Sequence, residues 1–223
     1  MPAARVRGRC GHHRHVGADE VETGWTVVVP VKQADLAKSR LAPALGVFRS
    51  RLAHAFALDT VDTVIACERV SRVVVVTDDD VLVRALPRGV DVVADPTGGD
   101  DLDAAVLAGA HVAHGPVASV AADLPALVVD ELTEALDAAT HHVRAVVADA
   151  DGTGTTMLTA RGGADLRPAY GPGSAARHVA LGAVALDGAW PGLRRDVDEP
   201  AHVAALRPDA VGRRTAAVLR DIA

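Results

Sequence analysis

The only two lysines of the 223-residue sequence lie close together, in the stretch PVKQADLAKSRLAP. They are Lys32 and Lys38, and arginine supplies the other basic residues of a total of 23. A lysine ammonium is a compact charge on a flexible stem, which suits phosphate oxygens clustered around a metal ion. The stretch therefore predicts a phosphate-binding loop. The alternative is a solvated loop in which two lysines fall together by chance.

Carboxylates occur at two further points where the chain is expected to leave a strand. Asp123 directly follows the apolar run Val117–Ala122, and a carboxylate fixed at a strand end suits Mg²⁺. Asp196 and Asp198 are two apart in RDVDEP, so an extended backbone places both on one face. We expect Asp196 to join Asp123 as a metal ligand and Asp198 to cap the helix predicted near Pro200. An Asp123 that only caps a turn is the alternative.

The stretch DADGTGTT, residues 149–156, is typical of an anion-binding turn. Its glycines allow a tight turn with exposed backbone N–H groups, and the hydroxyls of Thr153, Thr155 and Thr156 add donors. An ordinary turn is the alternative.

A second glycine-rich stretch, YGPGSAARH, precedes a predicted helix. Gly171 and Gly173 lead to Ser174, the expected N-cap, and a helix start with a serine hydroxyl favours an anion. His178 follows by one helical turn and is a weaker candidate to face the same pocket. A plain helix cap is the alternative.

The elements that position these residues follow from the apolar pattern. Short Val-rich runs alternate with segments of helical spacing, and they cover Thr26–Val31, Val73–Thr77, Val90–Ala94, Val117–Ala122 and Val143–Ala148. Uninterrupted apolar runs predict strands buried on both faces, hence a three-layer α/β/α domain with a mostly parallel mixed sheet. Ligands of such sheets bind outside the carboxyl ends of the strands, where the lysines, carboxylates and glycine-rich turns all fall.

Composition limits the function classes. The formal net charge is −6 and no long basic run lies outside the N-terminal segment, which argues against nucleic-acid binding. The longest stretch without charges, residues 104–122, contains His, Gly and Pro and does not read as a membrane span. We expect a cytoplasmic protein. Residues 1–24 lack helical or strand periodicity, so we expect a disordered leader before one domain at 25–223.

Taken in order, the motifs VPVK, AKSRLAP, ADLP, DADGTGTT, GPGSAARH and RDVDEP resemble one enzyme family. This is the guanylyltransferase family that makes the activated lactyl precursor of the deazaflavin coenzyme F-420, with 2-phospho-L-lactate or phosphoenolpyruvate as acceptor. The resemblance runs from about Trp25 to the C-terminus. It implies a nucleotide-diphospho-sugar-transferase-like fold, GTP as donor, Mg²⁺, and a product passed to the next enzyme of F-420 assembly.

The resemblance also implies roles for single residues. Lys32, Lys38 and Arg40 would meet the GTP phosphates, and the two lysines would act in catalysis by neutralising charge. Asp123 and Asp196 match the metal-binding carboxylates of the family.

Three other positions, Thr155, Gly171 and Ser174, match those that hold the phosphorylated three-carbon acid. Asp103, where family members commonly have Asn, would border the nucleotide, and base recognition there is open. Tyr170 replaces the usual Phe.

The expected reaction is transfer of GMP from GTP to phosphoenolpyruvate. A phosphate oxygen of the acceptor is already nucleophilic, so positioning and charge neutralisation suffice without a general base. The alternatives are 2-phospho-L-lactate as acceptor, another nucleotidyltransferase of the same fold, and a non-catalytic nucleotide-binding regulator.

Overall fold

The computed structural model describes residues 24–34, 46 and 48–222. The expected leader therefore lies outside the described residues except for Gly24, and so do Lys38 and Arg40. Among the residues that the structure describes, no helix combines the length and apolar character needed to cross a membrane.

Seven strands form one mixed sheet in the described part of the chain, in the order β3-β2-β1-β4-β6-β5-β7. The strands are β1 (Trp25–Pro30), β2 (Val70–Val76), β3 (Asp91–Val93), β4 (Val117–Val120), β5 (Arg144–Ala148), β6 (Thr155–Ala160) and β7 (Val184–Ala185). Neighbouring strands are parallel except where β6 pairs with β4 and with β5. The predicted α/β architecture with a mostly parallel mixed sheet is confirmed.

The five predicted strands are present with small shifts at their ends, whereas β6 and β7 were not predicted. The prediction that TT of DADGTGTT belongs to a turn is wrong, because Thr155 and Thr156 begin β6 and are buried. The antiparallel direction of β6 brings its first residue, Thr155, to the edge where β4 and β5 end. The unpredicted strand thus delivers a hydroxyl to the same edge of the sheet.

Helices cover both faces of the sheet. In chain order the described helices are α1 (Phe48–Ala66), α2 (Asp80–Ala85), α3 (Leu102–Ala110), α4 (Val129–Ala139), α5 (Ser174–Ala180), α6 (Pro191–Arg194), α7 (Pro200–Ala204) and α8 (Arg213–Ile222), with a 3-10 turn at Gly163–Asp165. Apolar side chains of α1 and α4 share a core with one face, and those of α3 share a core with the other. The three-layer prediction is therefore confirmed.

The valine runs explain why both faces are covered. Val27 and Val29 of β1 point into the core shared with α1 and α4, while Val28 points into the core shared with α3. All three side chains are fully buried. Because successive strand residues face opposite sides, only a strand with two buried faces needs apolar residues at every position.

Gly109 lets α3 approach the sheet closely. A Cβ at this position would lie 2.4 Å from Cγ1 of Val28 and 2.8 Å from Cγ2 of Val76. Any larger side chain would have to push α3 away from β1 and β2. The glycine therefore lets the last turn of α3 lie directly against β1 and β2.

The C-terminal helix α8 is fastened to α1 through Asp59, which is 4% exposed. The Asp59 carboxylate accepts hydrogen bonds from the backbone N–H groups of Arg214 (3.1 Å) and Thr215 (2.8 Å). These are N–H groups at the start of α8, which have no partner within the helix. Gly212 lies against the same carboxylate, since a Cβ there would be 2.2 Å from the Asp59 Cγ.

Candidate active site

A cavity of about 630 Å³ opens at the carboxyl ends of the central strands. Its lining includes Lys32 after β1, Asp123 after β4, Asp149 after β5 and Thr155 at the start of β6, together with residues of the 171–174 and 196–198 segments. A cavity of this size holds a small-molecule ligand. The polar residues that follow the strands therefore meet at one edge of the sheet, as expected from the sequence.

Three carboxylates meet on one side of this cavity. Asp123, Asp196 and Asp198 each offer an oxygen, and these oxygens lie within 4.8 Å of one another. The backbone holds the group together, because the N–H of Val197 donates to the carbonyl oxygen of Asp123 at 3.2 Å. Like charges this close repel one another unless a cation or protons neutralise them.

The donor set fits a hard divalent cation. Mg²⁺ and Mn²⁺ prefer carboxylate oxygens, and Mg²⁺ is usually held by a few carboxylates together with substrate phosphates and water. Asp123, Asp196 and Asp198 are therefore the residues that could hold such an ion here.

The expected role of Asp198 as a helix cap is wrong. Glu199 occupies the N-cap position of α7, which begins at Pro200, while the Asp198 carboxylate belongs to the cluster with Asp123 and Asp196. The segment is extended at this point, so Asp196 and Asp198 point the same way. That spacing already placed the two side chains on one face.

Lys32 reaches the cavity from the loop after β1, and its stem lies against Gly99. A Cβ on Gly99 would be 2.8 Å from the Lys32 Cγ and 3.0 Å from its Cε. Gly99 also has φ +95, a conformation that favours glycine. The glycine therefore leaves the space in which the lysine stem lies.

Asp79 lies behind another part of the cavity wall and holds two residues that line it. Its carboxylate caps α2 through the N–H groups of Val81 and Leu82, accepts the N–H of Ala34 at 3.0 Å, and lies 2.8 Å from Nε2 of His54. Burial raises the pKa of Asp79, but the hydrogen bonds from Ala34, Leu82 and His54 outweigh it and hold the pKa at about 2. The ionised carboxylate thus joins α1, α2 and the loop after β1.

His54 and Ala34, both held by Asp79, line the cavity. His54 was not among the residues identified from the sequence. Asp79 belongs to the acidic run TDDD, residues 77–80, which leads into α2 with Asp79 as the N-cap residue. The signal for His54 lay only in its distant partner, so sequence spacing could not reveal it.

A buried polar cluster forms another part of the cavity wall. The Thr155 hydroxyl oxygen lies 3.1 Å from the Ser174 hydroxyl and 3.0 Å from Nδ1 of His178. All three residues are buried, and Thr155 and Ser174 line the cavity together with Gly171. Thr155, Gly171 and Ser174, the three positions that the family resemblance assigns to the acid substrate, therefore lie in one wall of the cavity.

Ser174 is not the N-cap of α5, contrary to expectation. Gly173, with φ +74, is the N-cap residue, and Ser174 is the first residue of the helix. The N–H of Ser174 donates to the Gly171 carbonyl, and the N–H of Ala175 donates to the Thr153 carbonyl. These two amides are used inside the protein, so at this wall the hydroxyls are the better donors for a ligand.

The N–H groups of the DADGTGTT turn are also used inside the protein. Those of Thr153 and Gly154 donate to the Asp149 carboxylate at 2.9 and 2.7 Å. Gly154 has to be small, because a Cβ there would lie 2.3 Å from the Asp149 Oδ2. Asp149 thus shapes the turn that precedes Thr155.

Asp103 lies beside the cavity lining rather than in it. Its Oδ1 accepts the backbone N–H of Tyr170 at 2.8 Å, whereas Asp101 and Leu102 of the same turn line the cavity. The Tyr170 hydroxyl donates to Ser119 Oγ at 3.1 Å, and burial raises the pKa of Tyr170. Tyr170 is therefore held at both ends.

A sequence model of the family described as guanylyl transferase CofC like matches residues 25–183. The chain belongs to this family. The predicted family resemblance is therefore confirmed, and the match includes Lys32, the Asp123 strand end and the Thr155–Ser174 wall.

Curated relatives of this guanylyl transferase family are similar over most of the chain. A phosphoenolpyruvate guanylyltransferase of Geodermatophilus obscurus is 47% identical over 203 residues, which covers 87% of this chain and 94% of that protein. A phosphoenolpyruvate guanylyltransferase of Streptomyces scabiei is 48% identical over 204 residues, with 86% and 94% covered.

Solved structures share the fold at low sequence identity. A Desulfovibrio desulfuricans G20 protein assigned to the nucleotide-diphospho-sugar transferases has a TM-score of 0.63 at 17% identity, covering 88% of this chain and 94% of that one. Rv0371c of Mycobacterium tuberculosis H37Rv, solved as a complex with manganese, has a TM-score of 0.53 at 19% identity, with 82% and 96% covered. The expected nucleotide-diphospho-sugar-transferase-like fold is confirmed.

Proposed function

We propose that this protein transfers GMP from GTP to phosphoenolpyruvate and releases pyrophosphate, a step in the assembly of coenzyme F-420. The observation that carries the proposal is the meeting of three carboxylates, Lys32 and the Thr155–Ser174 hydroxyl pair in one cavity. Family membership supports guanylyl transfer, and the names of the curated relatives support phosphoenolpyruvate as acceptor.

In the proposed reaction a phosphate oxygen of phosphoenolpyruvate attacks the α-phosphorus of GTP. A new bond forms between that oxygen and the α-phosphorus, and the bond from the α-phosphorus to the oxygen bridging to the β-phosphorus breaks. The electron pair of that bond leaves with pyrophosphate. Because the attacking oxygen is already ionised, positioning and charge neutralisation carry the catalysis.

Lys32 is proposed to neutralise charge on the GTP phosphates. Lys38 and Arg40, which lie outside the described residues, are proposed to act on the same phosphates. Asp123, Asp196 and Asp198 would hold Mg²⁺. A bound divalent cation withdraws charge from phosphate oxygens and so stabilises the transition state. The carboxylates themselves keep such an ion on the side of the cavity where β4 ends.

Different parts of the cavity lining suit the two substrates. Thr155, Gly171 and Ser174 are proposed to bind the phosphorylated acid, because hydroxyl donors suit its carboxylate and phosphate oxygens. The nucleotide is proposed to lie toward the first turn of α3, where Asp101 and Leu102 line the cavity. Asp103 supports this arrangement from the same turn through Tyr170.

Both substrates are metabolites of the cytoplasm, which we propose as the location of the enzyme. The product contains a phosphoric anhydride, an activated group, and is proposed to pass to the next enzyme of F-420 assembly.

The test is pyrophosphate release from GTP in the presence of Mg²⁺ with purified full-length protein, with mass spectrometry of the product. We expect release with phosphoenolpyruvate and GTP, and much less with ATP or CTP. Faster reaction with 2-phospho-L-lactate would reassign the acceptor. Release only with a sugar phosphate would indicate a different nucleotidyltransferase. Binding of GTP without release under any of these conditions would indicate a non-catalytic nucleotide-binding regulator.

A further inference from the structure

The buried imidazole of His178 has a hydrogen-bond partner at each ring nitrogen. Nε2 lies 2.8 Å from the backbone nitrogen of Ala169, and Nδ1 lies 3.0 Å from Thr155 Oγ1. A backbone N–H can only donate, so Nε2 must be the unprotonated acceptor. The neutral ring therefore carries its proton on Nδ1 and donates it to the Thr155 hydroxyl oxygen.

This tautomer decides how the two hydroxyls of the cavity wall use their hydrogens. Thr155 and Ser174 share one hydrogen bond, which uses one of their two hydroxyl hydrogens in either direction. If Nδ1 of His178 is the donor, the other hydroxyl hydrogen of the Thr155–Ser174 pair is not used in any bond among His178, Thr155 and Ser174. With Nδ1 as acceptor, Thr155 would donate to the ring and Ser174 to Thr155, which would use both. Only the first arrangement leaves a donor for a ligand oxygen.

The surroundings of the ring hold it in this orientation. The Tyr170 ring meets the His178 ring edge to face, with centroids 5.1 Å apart and planes at 75°. Tyr170 is fixed by its bonds to Asp103 and Ser119. Burial lowers the pKa of His178, the Asp103 carboxylate opposes this, and the Arg177 charge adds to it. The environment thus favours the neutral ring that the bond to Ala169 requires.

We propose that His178 is a positioning residue for the acid substrate: its Nδ1–H makes the Thr155 hydroxyl an acceptor, so that the Thr155–Ser174 pair donates its remaining hydrogen to an anionic oxygen in the cavity. The identity of that anion as the phosphorylated acid rests on the proposed function. The tautomer itself does not. His178 does not line the cavity, and it acts through Thr155.

The tautomer can be tested by NMR on the full chain labelled with ¹⁵N-histidine. The His178 signals are assigned by their loss in His178→Asn. We expect Nδ1 protonated and Nε2 unprotonated at pH 7. An Nε2-protonated ring or an imidazolium at this pH overturns the proposal. This readout needs no substrate, so it holds even if the protein transfers no GMP to phosphoenolpyruvate.

Two substitutions separate positioning from simple support of the fold. In His178→Asn an amide replaces Nδ1 and can still donate to Thr155. In His178→Gln the amide lies near the place of Nε2 and can only replace the bond to Ala169. We expect His178→Gln to raise the KM for phosphoenolpyruvate by up to about tenfold, because the Thr155 hydroxyl is no longer held as an acceptor and the remaining hydrogen is no longer directed into the cavity, with the KM for GTP unchanged. His178→Asn should stay near the wild type. The reverse ranking, or equal effects on both substrates, overturns the proposal.

Discussion

The backbone N–H of Val197 donates a hydrogen bond of 3.2 Å to the carbonyl oxygen of Asp123. This bond joins the end of β4 to the extended segment before α7. Because side chains alternate along an extended segment, the two aspartates that flank Val197 both turn toward Asp123. The carboxylate cluster is therefore a product of backbone pairing between distant parts of the chain.

The first prediction concerns this cluster. Asp123→Asn, Asp196→Asn and Asp198→Asn should each lower turnover by orders of magnitude, since each removes a charge from the proposed metal site while keeping the side-chain shape. The losses should not add in double variants, because residues that act as a unit are non-additive. Steady-state pyrophosphate release measures this. Asp165→Asn, at an exposed position outside the cavity lining, is the control. Unchanged turnover in all three variants contradicts the proposed metal site.

The same variants should change stability in a way that separates metal binding from catalysis. Without divalent cations, each should melt close to the wild-type temperature, because asparagine keeps the shape of the aspartate side chain. Added Mg²⁺ or Mn²⁺ should raise the melting temperature of the wild type, since a ligand that binds the native state stabilises it by about 2.7 kcal/mol at a hundred times its Kd. Thermal melts with and without metal measure this. If Mg²⁺ or Mn²⁺ raised the melting temperature of the variants as much as that of the wild type, the ion would bind elsewhere.

Gly99 and Gly98 form a matched pair for testing the position of Lys32. Both have positive φ, but a Cβ on Gly98 meets nothing within 4 Å, whereas a Cβ on Gly99 meets the Lys32 stem. Both alanine substitutions should cost about 1 kcal/mol of unfolding free energy through backbone strain. Only Gly99→Ala should also raise the KM for GTP, by up to about tenfold. Equal kinetics in the two variants would mean that displacing the lysine stem has no effect on GTP binding.

A matched pair of threonines tests the acid wall. Thr155 lines the cavity, whereas the Thr156 hydroxyl, on the next residue of β6, lies toward the Val147 carbonyl at 3.5 Å. Thr155→Val and Ser174→Ala should raise the KM for phosphoenolpyruvate roughly ten- to a hundredfold, with little change for GTP. Thr156→Val should leave both constants near the wild type. Steady-state kinetics with each substrate varied in turn measures this, and equal changes for both substrates would assign the hydroxyls to the nucleotide or to folding.

Asp79 should make stability depend on acid pH. Its pKa is lowered from 3.8 to about 2, so its contribution is fully present above pH 3.8 and is lost as the pH falls toward 2. The size is about 2 kcal/mol of unfolding free energy. Asp79→Asn should therefore be less stable than the wild type near pH 6, and the difference should shrink toward pH 2. Urea unfolding across this range measures it.

The sequence predicted the sheet because its strands are buried on both faces and so appear as unbroken valine runs. The sequence did not predict β6, because its residues TTMLTA begin inside a stretch that also has the composition of an anion-binding turn. The two-residue β7 is too short to leave a periodic signal.

Site residues were predictable where a strand end or a turn fixed them, as for Asp123 and Thr155. Local chemistry misassigned Ser174 and Asp198 as helix caps, because the cap position depends on backbone geometry that composition does not reveal. His54 could not have been found from spacing, since its place in the cavity wall depends on Asp79 at the end of another strand.

The attachment of α8 to Asp59 has a consequence for incomplete chains. The carboxylate is buried on α1, but two of its donors, the N–H groups of Arg214 and Thr215, follow 155 and 156 residues later in the chain. A chain that stops before Gly212 would lose both bonds, and it would also lose Val218, which shares a core with Leu52 and Phe56 of α1. Chains that lack α8 would therefore keep apolar surface of α1 uncovered, and such chains would be exposed to cellular proteases.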